Sequence, residues 1–496
     1  MSYLDSKTPP IRELRHPETA LAHGRTRCGQ GPKKSVCAIM AQADRSFTQG
    51  SICPLLPALG IMCSLPETVV LMHGAIGCGS CANGSNVNVR AGNAARGQAG
   101  QEALWLSTAL NEANVIFGGE GKLAAAIIEA DQTYQPKVIL TVSGCLPGVI
   151  GDDIDNVAQE TQSQVKAKIL PVHCEGFKSR FMATAYDVVY HAVGRHLLPE
   201  KPLGPKDERA VNVMNVGSMG LVDEKEIARL LGELGLKANF FPVFANPDSF
   251  ALATQARLSI SVCPTHDDYF LHHLQEKYNV PFIIRHMPIG IENTSQWIID
   301  IGEAVGQKDA AIKLAKKEES ELNEALEPFK PLFAGKTAFV SAGEYRSLAT
   351  SLLLRELGFK ILGIRAFHFD SFAEVELAKL DRQGDFIFNV ANVQPFEEAN
   401  LLKRLKPDIF LGHWHGNSTA ARLGIPTQVI YNSGYAYMGY QGAYDLARRV
   451  HRRLAHPAFY QRLGRYGVLP YKADWYLADP FSHIREDGDP TPKEVR

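Results

Sequence analysis

Nowhere in the 496 residues does an apolar run reach the roughly eighteen needed to cross a bilayer, and the opening MSYLDSKTPPIRELRHPE lacks the apolar core of a secretory signal. No membrane segment is expected, and the chain should work in the cytoplasm. Excess charge of either sign is also missing, with 52 Lys+Arg against 53 Asp+Glu. That balance gives no global electrostatic case for nucleic acid or an anionic membrane, so partners must be argued from sites. Cysteine is sparse and odd in number, nine in all. In a reducing compartment this argues against a disulfide framework and leaves metal ligation, catalysis or simple burial. A phosphate loop is absent too. FGGEGK at 117–122 lacks the first glycine of that motif and is followed by Leu123 where Ser or Thr is required, so ATP chemistry would belong to a partner.

What the sequence does contain is a strand-then-helix rhythm. Residues 1–50 are rich in Pro, Arg, Lys and Gly without a periodic apolar pattern and read as a loosely structured arm without chemistry, packed on a neighbour or on its own first domain. A first domain is expected over 51–206, where PETVVLMHG, ANVIFGG, PKVILTVSG and AKILPVH are short apolar runs ending in Gly or His. A second, 207–335, carries RAVNVMNVGS, LKANFFPVF, RLSISVCP and VPFIIRHMP. A third, 336–460, carries KTAFVSAG, FKILGIRAF, GDFIFNVA, PDIFLGHW and PTQVIYNSG, and 461–496 form a C-terminal extension. The charged stretch GQKDAAIKLAKKEESELNEALEPFKP between the last two sets reads as a solvated linking helix. This predicts an α/β protein of three doubly wound, Rossmann-like domains with parallel sheets. Ligands in such sheets sit beyond the carboxyl ends of the strands, which is where Cys145, Cys263, His413 and Asn432 fall.

Three cysteines stand at strand ends or loop starts: Cys53 in GSICPLLPALG, Cys78 in MHGAIGCGSC and Cys145 in VSGCLPGVIGDDI. Thiolates are soft ligands that suit iron–sulfur clusters, and flanking Gly and Pro let backbone amides approach cluster sulfides. Cys81 makes a CxxC with Cys78, but no second pair completes a zinc site; Cys63 and Cys81 are read as buried thiols.

The words around these cysteines resemble nitrogenase component 1. HGAIGC, SGCLPGVIGDD and ANVIFGGEGKL match that family's segments in order and with similar gaps, and the resemblance runs from about residue 50 to 460. It implies that Cys53, Cys78 and Cys145 ligate a P-cluster of the [8Fe-7S] type shared with a homologous β-type subunit in an α2β2 assembly. CEGF at 174–177 assigns the chain to the α side. RLSISVCPTHDDYFLHHLQEKYNVP resembles the α-subunit segment whose cysteine is the single thiolate on a carbide-centred iron–sulfur cofactor, so Cys263 is expected to bind a cluster of the [8Fe-9S-C] type that the fold buries.

Beyond these words the chain departs from nitrogenase. The family's glutamine position falls on Met182 and its proton-donating histidine position on Tyr186, a softer and bulkier wall suited to an apolar, sulfur-containing substrate. No histidine lies between Pro426 and Arg449, where the family places the ligand to its heterometal. HWHG at 413–416 is the nearest supply of imidazole; His413 and His415, at i and i+2 on a strand end, could ligate iron, bond to the cluster or line the substrate pocket. These departures resemble the nitrogenase-like methylthio-alkane reductases, which cleave C–S bonds to release methanethiol and hydrocarbons on a cluster lacking molybdenum and homocitrate. The implied partners are the β-type subunit, a homodimeric [4Fe-4S] ATPase that supplies electrons, and a small methylthioether. Met182, Tyr186, His413 and His415 are the candidate catalytic residues. Alternatives are a cofactor-assembly scaffold, a tetrapyrrole reductase of the dark-operative protochlorophyllide type, and a true alternative nitrogenase.

Overall fold

The computed structural model describes residues 6–17, 24–28, 53–80, 82–215, 219–382, 384–390, 395–413, 416–430 and 434–480. They divide into two compact units, one of Met1–Arg15 with Ile52–Arg285 and the other of His16–Ser51 with His286–Arg496. No described helix is long and apolar enough to cross a membrane.

The first unit holds two four-stranded parallel sheets. In one, β2 (Thr68–His73), β3 (Leu104–Ser107), β4 (Val138–Ser143) and β5 (Lys168–His173) run in the order β3-β2-β4-β5. In the other, β6 (Asp207–Asn215), β7 (Lys237–Pro242), β8 (Ala256–Ile260) and β9 (Phe282–Ile283) run in the order β7-β6-β8-β9. β2 and β4 are buried along their whole length because helices cover both faces, which is why they read as unbroken apolar runs. The reversal of strand order beside β2 and beside β6 opens the carboxyl edge at those points, the usual place for a ligand in such sheets.

The second unit is built on six strands: β1 (Gly24–Cys28), β10 (Thr337–Ala342), β11 (Lys360–Ala366), β12 (Phe386–Val390), β13 (Ile409–Gly412) and β14 (Thr427–Val429), in the order β1-β12-β11-β10-β13-β14. β1 pairs antiparallel with β12 from Gly24↔Val390 to Cys28↔Phe386, so this sheet is mixed at one edge. The arm is therefore not loose throughout. Residues 24–28 extend a sheet, and Ile11–Arg15 docks in the first unit through the short helix Arg12–Arg15.

Two further readings are corrected. ANVIFGG is not a strand: Glu112–Phe117 is helical, started by reciprocal side-chain bonds between Asn111 and Asn114, and its Ile116 and Phe117 are exposed. The strand next to β2 is instead β3, within ALWLSTAL. Nor is the charged stretch a merely solvated link. Lys308–Leu326 buries Ala311, Leu314, Ala315, Leu322 and Leu326 along one stripe, packed on Ile291–Ala304.

Candidate metal-cluster site

In the first unit three motif words converge on one buried histidine–carboxylate hydrogen bond. His73, the last residue of β2, places Nε2 2.9 Å from Asp152 Oδ2. The same carboxylate accepts the Gly119 amide at 3.0 Å, and Gly119 has room only for hydrogen, because a Cβ there would lie 2.6 Å from Asp152. HGAIGC, FGGEGK and CLPGVIGDD are thus tied together by His73, Gly119 and Asp152. What resembles a phosphate loop is a glycine amide already bound by a carboxylate. Burial lowers the His73 pKa, with Asp152 acting against it.

This knot positions the loops that follow β2 and β4, which pair in parallel up to His73↔Ser143. Cys78 lies on the exposed turn of helix Ile76–Ser80, and Cys145 opens the helix Cys145–Ile150, also exposed. Cys53 is half-buried just ahead of helix Leu55–Met62. The Cys53 and Cys145 sulfurs approach one point. A Cβ on Gly176 would collide with Cys53 Sγ and stand 3.6 Å from Cys145 Sγ. The glycine of CEGF is therefore what lets the two thiols face a shared space, and the donor set fits a thiolate-bound iron–sulfur group. Behind them Cys174 is buried, and burial, with Cys53 and Glu175 nearby, raises its pKa well above the ordinary thiol range. Cys63 is also a buried thiol, pushed up to about 12 by burial, whereas Cys81 lies outside the described residues.

Cys263 follows β8 and caps the helix Pro264–Tyr278. It is 7 % exposed. Its amide and that of Val262 both donate to Asp267 Oδ2, each at 3.2 Å, and Ser261 Oγ donates to the same oxygen at 2.8 Å. Burial raises Asp267 to about 8 despite these bonds. Tyr186, in the helix Thr184–His196, lies flat on His266 with ring centroids 3.7 Å apart and is 6 % exposed. Since the His266 amide bonds to the Cys263 carbonyl at 2.9 Å, this stack brings Tyr186 to the Cys263 turn. Neither the Tyr190 hydroxyl nor Asp267 Oδ1 has a hydrogen-bond partner among the described residues, and both are buried. One thiol with an orphaned hydroxyl and an orphaned carboxyl oxygen fits a group that enters from outside the chain. Met182 is half-buried, two residues ahead of the same helix.

Beneath this turn lies a feature that the sequence reading passed over. Asp187 and Asp268, neighbours of Tyr186 and Asp267, are buried and take the guanidinium groups of the N-terminal segment. Arg12 reaches Asp268 at 2.8 Å, and Arg15 reaches Asp187 at 2.8 Å and Asp268 at 2.5 Å. The arm was expected to carry no chemistry, yet it neutralises the two carboxylates that flank the Cys263 region. A usable signal was present in the adjacent Asp267 and Asp268 in a helix that otherwise buries apolar residues.

In the second unit His413 sits one residue past β13, with its amide bonded to Ser341 O at 2.9 Å and its ring edge-on to Phe367 at 6.2 Å. His415 and Asn432 lie outside the described residues.

A separate, partly buried charge cluster ends β5. Burial opposes a charge on His173, but Asp155 Oδ2 at 2.5 Å and Glu175 Oε1 at 3.4 Å outweigh it and hold its pKa at about 9. Arg195 and Lys178 complete the cluster on the far sides of the two carboxylates. A raised histidine pKa stabilises the fold fully below its unfolded value of about 6.5, and that contribution fades as pH rises through the folded value. The melting-temperature gap between wild type and His173→Gln should therefore be largest near pH 6, corresponding to about 3 kcal/mol, and should shrink by pH 9.5. A gap that is constant over that range would show that the imidazole is uncharged in the fold.

Comparison with known proteins sets these features in a family. The family model described as nitrogenase component 1 type oxidoreductase matches residues 53–455. The nitrogenase iron-molybdenum cofactor biosynthesis protein NifE of Methanococcus maripaludis is 25% identical over 470 residues, covering 92% of this chain and 93% of that protein. The nitrogenase molybdenum-iron protein alpha chain of Methanosarcina barkeri is 25% identical over 454 residues, covering 80% and 84%. The solved structure titled nitrogenase Cp1 at pH 5 superposes with a TM-score of 0.70 at 18% identity, over 95% of this chain and 99% of that one.

Proposed function

The chain belongs to the nitrogenase component 1 type oxidoreductases, and from that premise we propose that it is the α-type subunit of a reductase that cleaves the C–S bond of small methylthioethers. In this reading Cys53, Cys78 and Cys145 hold an interface cluster shared with a β-type subunit, and Cys263 anchors a second, carbide-centred cluster without molybdenum or homocitrate. Electrons come from a homodimeric [4Fe-4S] ATPase.

The observation that carries the reading is the wall beside Cys263. The face that would meet a substrate offers the Tyr186 ring, held rigid by its stack on His266, where a dinitrogen-reducing site would offer a hydrogen-bonding imidazole. Together with the Met182 thioether, such a wall favours an apolar sulfur compound. For the interface cluster, support comes from exposed apolar side chains next to the cysteines: Ile76, Ile116, Phe117, Val149 and Phe177. A set of that kind suits burial against a partner chain, and exposed Cys78 and Cys145 leave coordination for that partner to complete.

A cluster held by Cys263 would supply low-potential electrons at an iron open to a thioether sulfur. The chain's own residues orient and exclude water. In this reading Tyr186 and Met182 would press the methylthio group toward Cys263, and the Tyr186–His266 pair would hold a proton for the carbon that leaves sulfur. His413 and His415 are the candidates for a second proton or for contact with the far end of the cluster. For dimethyl sulfide the balance is CH3SCH3 with two electrons and two protons, giving CH4 and CH3SH. A second reading, an assembly scaffold that hands its cluster on, draws on the extended similarity to NifE.

The deciding experiment gives the reconstituted complex, its ATPase and ATP both dimethyl sulfide and dinitrogen, and measures methane, methanethiol and ammonia separately. Methane and methanethiol in equal amounts are expected. Ammonia without C–S cleavage would make the chain a true nitrogenase subunit, and no product with cluster transfer to an apo-enzyme would make it a scaffold.

A further inference from the structure

In the second unit, at the carboxyl edge of the six-stranded sheet, Glu344, His368 and Asp370 bring their ligating atoms within 4.8 Å of one another, and all three side chains are buried. Each is placed by a different local device. Glu344 is the first residue of the helix Glu344–Glu356 that leaves β10, His368 lies two residues beyond β11, and Asp370 caps the following turn by accepting the Phe372 amide at 3.2 Å. β10 and β11 pair in parallel up to Ala342↔Ala366, so their two exits open side by side. His368 Nε2 stands 3.0 Å from Glu344 Oε2. Both exits lie at the carboxyl edge of the sheet, the edge beyond which open α/β sheets take up ligands.

We propose that Glu344, His368 and Asp370 form a mononuclear site for a divalent first-row metal ion, distinct from the cysteine positions. Two carboxylates and one imidazole make a hard-to-borderline oxygen and nitrogen set that suits Mn2+, Fe2+ or Zn2+ and is a poor match for the thiophilic ions that cysteines select. Bond lengths of about 2.0–2.2 Å put neighbouring ligand atoms on one ion about 3.0–3.6 Å apart; the His368–Glu344 pair, at 3.0 Å, already has this spacing, and Asp370 lies within 4.8 Å of both. The charge also closes. A 2+ ion, two carboxylates and a neutral imidazole form an electrically neutral unit, the state in which such groups are buried at least cost. Three protein donors leave a position for water or an oxygen-donor ligand, as in metal sites that bind small molecules rather than merely brace a fold. The inference does not depend on which reaction the family fold performs here.

Mn2+ serves as the probe because thiolate sites do not select it. The full chain, purified with its partner, is titrated with MnCl2 while free Mn2+ is followed by electron paramagnetic resonance. Crystals soaked in MnCl2 are measured at the manganese edge. One Mn2+ per chain is expected, with an anomalous peak between the three side chains, and Glu344→Gln, His368→Gln and Asp370→Asn should each weaken uptake by at least about tenfold. MnCl2 should also raise the melting temperature of the wild type and not of the variants. Should the variants fail to fold, the wild-type peak and stoichiometry decide alone. Equal uptake by wild type and folded variants, or a wild type with no uptake and no peak at this position, overturns the site and leaves the trio a hydrogen-bonded group sharing protons.

Discussion

If Cys263 anchors a catalytic cluster as proposed, Cys263→Ala should abolish turnover, a loss of at least about a thousandfold on the scale of removing a group on which the whole reaction depends, while the chain stays folded and keeps the iron bound at Cys53, Cys78 and Cys145. The fold should survive because the substitution deletes one sulfur and leaves the turn intact. The bonds that fix the turn run from the Val262 and Cys263 amides and the Ser261 hydroxyl to Asp267, and none involves the thiol. Loss of a single buried heavy atom costs about 1 kcal/mol. Cys78 and Cys145 follow strands of a different sheet, on the loops braced by His73 and Asp152, and Cys53 lies ahead of helix Leu55–Met62, so a cluster held there should not sense the change. Iron content per chain, electron paramagnetic resonance and a melting curve on the purified complex give the three readouts. A variant that retained the second cluster's signal would move its anchor away from Cys263.

The sequence was most legible where one segment carries its own signal. Short apolar runs located β2, β4, β5 and every strand from β6 to β14, most plainly at β2 and β4, which are buried along their whole length. Local reading failed where a short segment obeys its cap more than its composition. Glu112–Phe117 has strand-like residues but is helical, since Asn111 and Asn114 satisfy its first amides. It also failed where the partner lies far along the chain. Nothing near Arg12 announces an aspartate 256 residues away, and nothing near Glu344 announces His368 and Asp370 across a helix and a strand. The cysteines stood out as words, but the glycine that lets two of them meet, Gly176, and the aspartate that ties their loops, Asp152, acquire meaning only in three dimensions.

The N-terminal clamp gives the largest stability effect. Asp268 sits between two guanidinium groups, Arg12 at 2.8 Å and Arg15 at 2.5 Å, with Arg12 and Asp268 buried and Arg15 partly so, and Arg15 is shared with Asp187. Two carboxylates against two guanidinium groups are neutral as a set. Asp268→Asn leaves two cations to one carboxylate in a region from which water is excluded, and breaking a buried pair in this way costs about 3–5 kcal/mol. The charge, not the volume, carries the effect, because asparagine keeps the size and can still accept one hydrogen bond. Removing a cation with its partner separates the two causes: Arg12→Met combined with Asp268→Leu deletes one pair and leaves Arg15 to Asp187. That double variant should recover most of the loss, as exchange of a buried ion pair for apolar groups of similar volume is often neutral or stabilising. Urea unfolding of the purified complex, followed by trypsin cleavage after Arg12 and Arg15, measures both the stability and the docking of the segment. Asp268→Asn should lower the unfolding midpoint and speed cleavage, and the double variant should restore the midpoint. If Asp268→Asn shifted stability by less than about 1 kcal/mol, the scale of an exposed pair, the segment would rest on the surface and would not brace the helices that carry Tyr186 and Cys263.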